Sequence, residues 1–403
     1  MIADAFICDA IRTPIGRYGG VLAGIRADDL GALPIKALLQ RNPGLDPVSI
    51  EEVFYGCANQ AGEDNRNVAR MSALLAGLPC SVPGVTLNRL CASGLEAIGT
   101  AARAIRTGEM SLAIAGGVES MTRAPYVLAK ADTAFGRSQT LEDTTMGWRF
   151  VNPAFAAAYG AETMPRTGEN VAIDFGVSRE DQDRFALQSQ QRAAAARSSG
   201  FHAAEIAAVS VTGKKRGETV EVALDEHPRP DTSIDALARL KPLFGPDGTV
   251  TAGNSSGIND GAAALLIASE AAAKRHGLVP RARVLGMSSA GIEPRIMGVG
   301  PLPAVQKLLG HLNMQIDDFD AIELNEAFAS QSLAVLRGLG IPDDAPHVNA
   351  NGGAIALGHP LGMSGARLVL TLINQLEKTQ GRLGLATLCV GVGMGLALAV
   401  ERV

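Results

Sequence analysis

The sequence predicts a duplicated α/β fold, in which two similar runs of alternating strands and helices flank a long excursion. Three observations carry this. Strand-like and helix-like stretches alternate through residues 1–119; the texture changes over 120–250, where the only Trp, charge-rich stretches and Pro-containing turns gather; and the first order of elements returns from about residue 281. The repeat is faint in residues but visible in order. Asn88 followed by Ser93-Gly94 opens a helix in one run, and Asn351 followed by Ser364-Gly365 opens one in the other. Each helix leads to a glycine-rich apolar strand, at residues 113–117 and 388–391.

Element by element, residues 5–9 read as a strand, 28–41 as a helix, 52–56 as a strand, 67–77 as a helix, 82–87 as a strand, 93–107 as a helix and 112–117 as a strand. In the excursion, Ser178-Arg-Glu-Asp181 is a helix start with a capping hydroxyl and acids in the first turn, and the helix runs to Ser198. Residues 262–268 return to buried apolar character. The second run reads as strand 283–288, helix 302–312, strand 321–324, helix 329–338, a strand near 347–349, helix 364–378 and two strands from Gly384. The implied domains are 1–119 as the first part of an N-terminal half, 120–250 as an inserted loop domain, 251–274 as the completion of that half, and 275–403 as the C-terminal half.

A chain of 403 residues, 47% hydrophobic, is long enough for two or three cores or one large layered one. Only 4% is aromatic, which argues against stacking on nucleic-acid bases, and a net charge of -5 gives no general attraction to nucleic acid or to an anionic membrane. A local basic patch could still serve an anionic cofactor. The N-terminus carries an acid where a signal peptide would be basic. Residues 384–400 are apolar but fall short of the roughly 20 of a membrane helix, and their glycines favour two buried strands. Five cysteines without paired spacing point to a reducing compartment, hence the cytoplasm, and no Cys-x-x-Cys or His-x-x-x-His pair suggests a metal.

Two cysteines sit in backbone settings that suit a reactive sulfur. Cys91 lies between a strand and the helix opening near Ser93, where N–H groups and partial positive charge lower a thiol's pKa and can hold an oxyanion; its alternative reading is a small buried core cysteine. Cys389 leads into Gly391-x-Gly-x-Gly395, which suits a proton donor and acceptor or a second anion-holding loop, or else a tightly packed strand with bulges. Cys8, Cys57 and Cys80 lack such settings and read as inert buried residues. His359, between Gly358 and Pro360, has little side-chain bulk beside it and reads as an exposed imidazole that titrates near neutrality and can act as a general base. The other histidines, at 202, 227, 276, 311 and 347, read as surface residues. Asn325 ends an apolar strand, where open α/β folds place ligands, and reads as an oxyanion or water donor or as a cap of the helix that follows.

Together these features resemble the thiolase family over essentially the whole chain. The matching pieces are Asp9-Ala-Ile-Arg-Thr-Pro-Ile-Gly16, Asn88-Arg-Leu-Cys-Ala-Ser-Gly94, Gly116-Gly-Val-Glu-Ser-Met121, Thr251-Ala-Gly-Asn-Ser-Ser-Gly257, Asn325-Glu-Ala-Phe-Ala329, the stretch from Asn351 to Pro360, and Cys389-Val-Gly-Val-Gly-Met-Gly395. The resemblance implies two βαβαβαββ halves in a five-layered αβαβα core, a loop domain, and a homodimer or homotetramer. It implies Cys91 as acyl-carrying nucleophile, His359 as its activator, Cys389 as the proton carrier at the acetyl carbon, Asn325 acting through a water on the enolate oxygen, and the N–H groups of Cys91 and Gly391 as an oxyanion hole. Coenzyme A would be a co-substrate with no permanently bound cofactor. Its contacts would be Arg229 at the adenine and phosphate end, Phe244, Ala252 and Ser256 along the pantetheine tunnel, and Met164 and Met297 near the acyl pocket, with Phe328 a further substrate or CoA contact. Thr163-Met-Pro165, Gly147-Trp-Arg-Phe-Val-Asn-Pro153 and Asp225-Glu-His-Pro-Arg-Pro-Asp231 look like those members that cleave 3-oxoadipyl-CoA to succinyl-CoA and acetyl-CoA in aromatic-compound breakdown. Arg149 and Arg166 would then be candidates to meet the distal carboxylate. The alternatives are an acetyl-CoA acetyltransferase making acetoacetyl-CoA, a ketoacyl synthase, and a non-catalytic CoA-binding protein.

Overall fold

Strands of this chain that are buried on both faces alternate their side chains between two different cores, and that sets the layering. The structure, a computed structural model, describes residues 3–213, 215 and 217–403. Its principal strands are β1 (Ala5–Arg12), β2 (Glu52–Gly56), β3 (Gly84–Leu87), β4 (Leu112–Ser120), β5 (Asn259–Ser269), β6 (Ala282–Gly291), β7 (Ala321–Leu324), β8 (Leu383–Val390) and β9 (Met394–Arg402). The principal helices are α1 (Ala27–Arg41), α2 (Val68–Leu75), α3 (Ser93–Thr107), α4 (Met164–Asp174), α5 (Arg179–Ser198), α6 (Pro301–Leu312), α7 (Ala329–Leu339) and α8 (Leu361–Thr379). On β5, Ala263, Leu265 and Ile267 face one core while Ala262, Ala264, Leu266 and Ala268 face another. On β9, Leu396, Leu398 and Val400 join the first of these cores and Ala397 and Ala399 a third.

The strand order is β7-β8-β9-β6-β1-β5-β4-β2-β3. Only two residue pairs, Phe6 with Arg283 and Ile7 with Ala282, join β1 to β6, so the ladder divides there into two half-sheets. Within each half the pattern is the same: an antiparallel first pair, an antiparallel second pair, then parallel pairs, ending in the first half at β3 and in the second at a single parallel bridge from Ile322 to Val348. The duplication read from the sequence is therefore present in the strand order. Helices α3 and α8 lie between the half-sheets, and 13 of the 19 residues of α8 are buried, which marks it as a central rather than a surface helix. Helices α1 and α2 cover the outer face of the first half-sheet and α6 and α7 that of the second. The result is five αβαβα layers.

Several observed bounds differ from the sequence expectation by a few residues, the stretch near 347–349 forms a single bridge rather than a strand, and two differences bear on the site. Strand β4 continues through Val118, Glu119 and Ser120 because its pairing with β5 runs on to Ser120 and Asp260. Helix α8 starts at Leu361 rather than Ser364, ahead of the glycines that read as loop. The excursion is tied back at Arg12, fully buried at the end of β1, which bonds Asp225 through both terminal nitrogens at 2.7 and 2.9 Å and Glu205 at 3.0 Å. Among the described residues no helix is long and apolar enough to cross a membrane.

The layers approach most closely where glycine permits it. A Cβ on Gly117 of β4 would lie 2.0 Å from the carbonyl oxygen of Gly362 in α8 and 2.8 Å from that of Gly56. We expect Gly117→Ala to destabilise the protein by at least about 2 kcal/mol and to lower Tm by several degrees in a thermal melt. A Tm unchanged by the substitution would show that the layers separate there without cost.

Candidate functional site

The chemistry-bearing side chains come from four places along the chain that the fold brings to the C-terminal ends of β3, β7 and β8 and the N-terminal end of α8, the end at which open α/β sheets hold ligands. Cys91 follows β3 in a short turn, Leu90–Ala92, that leads into α3. Asn88 shapes that turn: its Oδ1 accepts from Leu90 N at 2.9 Å and its Nδ2 donates to Ala58 O at 3.1 Å. Ser93 closes it, with Oγ accepting from Arg89 N at 2.9 Å and donating to Leu90 O at 2.6 Å. Leu90 is held at φ 46°, a left-handed conformation that costs a non-glycine residue about 1–3 kcal/mol and is met mostly at functional turns.

Cys91 is half-buried, and its sulfur faces the backbone N–H groups of Gly391 and of Cys91 itself. Sequence reasoning expects a lowered pKa here. The structure corrects that: burial of the sulfur outweighs the two N–H groups and pushes the thiol up to about 11. Cys389, near the end of β8, is buried, and its thiol is pushed up well beyond the ordinary range by burial and then by the nearby Cys91. Its apolar neighbours are Val250, Met297, Ala327, Phe328 and Met164. Gly391 begins a turn with Val392 at φ 65° and Gly393 at φ 81°. A Cβ on Gly391 would stand 3.0 Å from Leu90 and 3.9 Å from the Met164 sulfur, so a side chain there would crowd the approach to Cys91.

His359 is also corrected. It is buried, not exposed, and burial, then the charge of Arg367, lowers its pKa to about 3, so the ring is neutral across the physiological range. Its tautomer follows from its neighbours. Ser364 Oγ spends its one proton on Pro360 O at 2.8 Å and so accepts from His359 Nδ1 at 2.6 Å, which leaves Nε2 as the basic atom. Asn325 Nδ2 stands 3.4 Å from that Nε2, while Asn325 Oδ1 is buried with no partner. Asn325 is not a helix cap, because α7 starts at Ala329 and Gln331 reaches back to the N–H groups of Ala327 and Phe328 instead. Asn259 fixes the histidine loop by accepting from His359 N at 2.9 Å. Gly358 has φ 104°, and a Cβ on it would fall 2.6 Å from the Asn259 side chain.

The remaining sequence-derived positions divide. Met164, Met297 and Phe328 meet around Cys389. Loop 251–257 runs beside 325–329 through Ser256 N to Ala327 O at 3.0 Å and a bridge from Ser255 to Phe328. Phe244 carries the Arg166 guanidinium 3.8 Å over its ring. Ala252 and Arg229 are exposed, and no direct contact joins Arg229 to the thiols. Arg149 donates to Asn59 O at 3.0 Å. A small cleft beside Gly391 is lined by Trp148, Tyr159, Met164, Thr167, Arg295 and Val392; neither Arg149 nor Arg166 lines it. Of the other histidines only His311 is exposed, and His202 is buried on Asn351 O at 3.1 Å. Cys8 and Cys57 are buried as expected, but Cys80 is exposed. Sequence reasoning missed Ser364 and Asn259 as supports of His359; a hydroxyl five residues beyond a loop histidine was the available signal for the first.

Comparison with known proteins gives two family matches, "Thiolase, N-terminal domain" over residues 5–271 and "Thiolase, C-terminal domain" over 278–402. The chain is 70% identical over 403 residues, all of both chains, to a protein of Pseudomonas aeruginosa named beta-ketoadipyl-CoA thiolase. It is 61% identical over 400 residues, 99% of this chain and 100% of the other, to an Escherichia coli protein named 3-oxoadipyl-CoA/3-oxo-5,6-dehydrosuberyl-CoA thiolase. The crystal structure of the Bacillus anthracis acetyl-CoA acetyltransferase superposes with a TM-score of 0.92 at 39% identity, covering 100% of this chain and 99% of that one.

The site's electrostatics make a pH prediction. With the Cys91 thiol raised to about 11 and the His359 imidazole lowered to about 3, both groups rest neutral. Below that thiol pKa each pH unit raises the thiolate fraction about tenfold. Alkylation of Cys91 by iodoacetamide should therefore climb steeply from pH 7 to 9 without levelling, as measured by mass spectrometry of the modified peptide. A rate already level at pH 7 would reveal a resting thiolate–imidazolium pair.

Proposed function

The chain belongs to the thiolase family, and from that membership we propose that it cleaves 3-oxoadipyl-CoA with CoA to give succinyl-CoA and acetyl-CoA through an acyl group carried on Cys91. The observation that supports the chemistry is a half-buried Cys91 that faces the N–H groups of Gly391 and Cys91 and acts electrostatically on the buried Cys389, with a neutral, oriented His359 beside Asn325. The acyl chain is inferred from full-length similarity to relatives whose names specify that substrate.

The steps are those the family resemblance implies, and the geometry supports them. His359 Nε2 takes the Cys91 proton as the sulfur adds to the C3 carbonyl, and the oxygen that becomes negative is held by the N–H groups of Cys91 and Gly391. The C2–C3 bond then breaks, its electron pair leaving on the acetyl-CoA enolate. That enolate oxygen is held by protonated His359 and, through a water, by Asn325. Cys389 gives its proton to C2, which releases acetyl-CoA. The thiol of an incoming CoA passes its proton to Cys389 and attacks the Cys91 thioester; the C–S bond to Cys91 breaks, protonated His359 returns its proton to the leaving sulfur, and succinyl-CoA is released. Buried Cys389 suits this role because its raised pKa makes the thiol form the resting one and a strong base of its thiolate.

In the same reading CoA is a co-substrate with no permanently bound cofactor, Arg229, Phe244, Ala252 and Ser256 line its path, and the enzyme is a cytoplasmic homodimer or homotetramer. Residues 1–119 and 251–274 form one half, 120–250 the loop domain and 275–403 the other half. The cleft lined by Trp148 and Arg295 is where the acyl chain would extend.

Steady-state thiolysis should give kcat/KM at least about tenfold higher for 3-oxoadipyl-CoA than for acetoacetyl-CoA, a margin within what one polar recognition contact supplies. Higher efficiency on acetoacetyl-CoA would replace this substrate reading with the acetyltransferase one. Cys389→Ser should leave Cys91 open to acylation by acetyl-CoA but slow exchange of the acetyl methyl protons about 100-fold or more. Full exchange in that variant would remove Cys389 from the proton transfer.

A further inference from the structure

The stretch Gly116-Gly-Val-Glu-Ser-Met121 has no part in the steps above, yet its glutamate joins the two loops that carry them. Glu119, 1% exposed at the end of β4, accepts three backbone N–H groups: Ala58 N at 2.9 Å and Gly362 N at 2.8 Å on Oε2, and Asn59 N at 3.0 Å on Oε1. Gly362 lies in the first turn of α8, whose N-cap, Pro360, offers no side-chain hydrogen bond. A strand carboxylate thus supplies the acceptor that the buried helix end lacks, three residues from His359. On its other side, Glu119 holds Ala58, whose carbonyl receives Asn88 Nδ2; Asn88 in turn accepts from Leu90 N, one residue before Cys91. A continuous hydrogen-bonded path therefore runs from the histidine loop through Glu119 to the nucleophile turn.

We propose that Glu119 is a positioning residue that sets the Cys91 turn and the His359 loop in register for acyl transfer. Cys57 and Asp64 lie beside it, with ligand-type atoms of all three within 4.8 Å, but both Glu119 oxygens are committed to N–H donors and the Cys57 thiol bonds Asp64 Oδ2 at 3.6 Å. The cluster is a hydrogen-bond hub. The carboxylate touches neither substrate nor reacting sulfur, so its effect must appear in the rate of chemistry rather than in binding of CoA.

The inference rests on Cys91 as the acyl carrier, and its test separates the two claims. The full-length protein and Glu119→Gln are mixed with acetyl-CoA, and acylation of Cys91 is followed by rapid quench and mass spectrometry alongside KM and a thermal melt. A glutamine retains one acceptor oxygen and points N–H at a donor, so acylation and kcat should fall about 10- to 100-fold, as for a misplacement of about 1 Å, with KM within about threefold. A purely structural role would lower Tm and leave the acylation rate of the folded protein unchanged, and that result overturns the inference. Should Glu119→Gln not fold, Asn88→Ala breaks the same path nearer the nucleophile and should show the same loss; a parent-like rate there overturns it too. Absence of any adduct on Cys91 in the parent protein would instead overturn the proposed function itself.

Discussion

Helices α3 and α8 are buried between two half-sheets, and a buried helix start must find acceptors for N–H groups that no helix can satisfy internally. That constraint organises the centre of the protein. Neither helix is capped by its own N-cap side chain: Ala92 before α3 and Pro360 before α8 make no such bond. Ser93 ties the turn before α3, and Glu119 reaches across from a strand to α8. The two helix starts are thereby held facing the strand ends where Asn325 and Cys389 emerge. The site occupies the junction because that is where oriented donors collect.

Burial pushes every titrating group of the site toward neutrality. Cys91 rises to about 11 and His359 falls to about 3. Ionising Cys91 alone at pH 7 would cost about 5 kcal/mol, four pKa units at 1.36 kcal/mol each. A resting ion pair is therefore disfavoured, and in the proposed mechanism the proton moves to His359 Nε2 as the carbon–sulfur bond forms. In that mechanism the C3 oxygen becomes negative where the N–H groups of Cys91 and Gly391 can hold it. Leu90 at φ 46° and Gly391 without a side chain are local costs of keeping those donors aimed at one point.

Much of this was legible in the residues. Alternation of apolar and glycine-rich stretches locates most strands and helices, because strands buried on both faces and helices between them leave strong local signals. The two cysteines were legible from the glycines and helix start beside them. Their titration was not, since it depends on burial by segments distant in sequence. His359 looked exposed from Gly358 and Pro360, but the space those residues leave is filled by Asn259, 100 positions away, and by Ser364. Asn325 resembled a cap only because its helix begins later than local propensity implies. Glu119 figured only within the Gly116–Met121 motif, past the expected strand end at Gly117; its bond to Gly362 spans 243 positions and no local pattern announces it.

The duplication lets the strand ends of the two halves be compared position by position. In the first half-sheet Glu52 pairs with Ala113, and in the second Ala321 pairs with Gly384. Counting from those pairs, Gly56 occupies the place of Asn325, and Val118 that of Cys389. Gly56 cannot carry a side chain, since a Cβ would lie 2.3 Å from the backbone of Ser93 at the start of α3. The first half closes its strand ends on that helix and, one residue on from Val118, spends Glu119 on backbone N–H groups. At the matching strand ends the second half presents an amide and a thiol to the space between the helix starts. Duplication supplied two equivalent frameworks. The strand ends differ because that of Gly56 is packed shut against the start of α3.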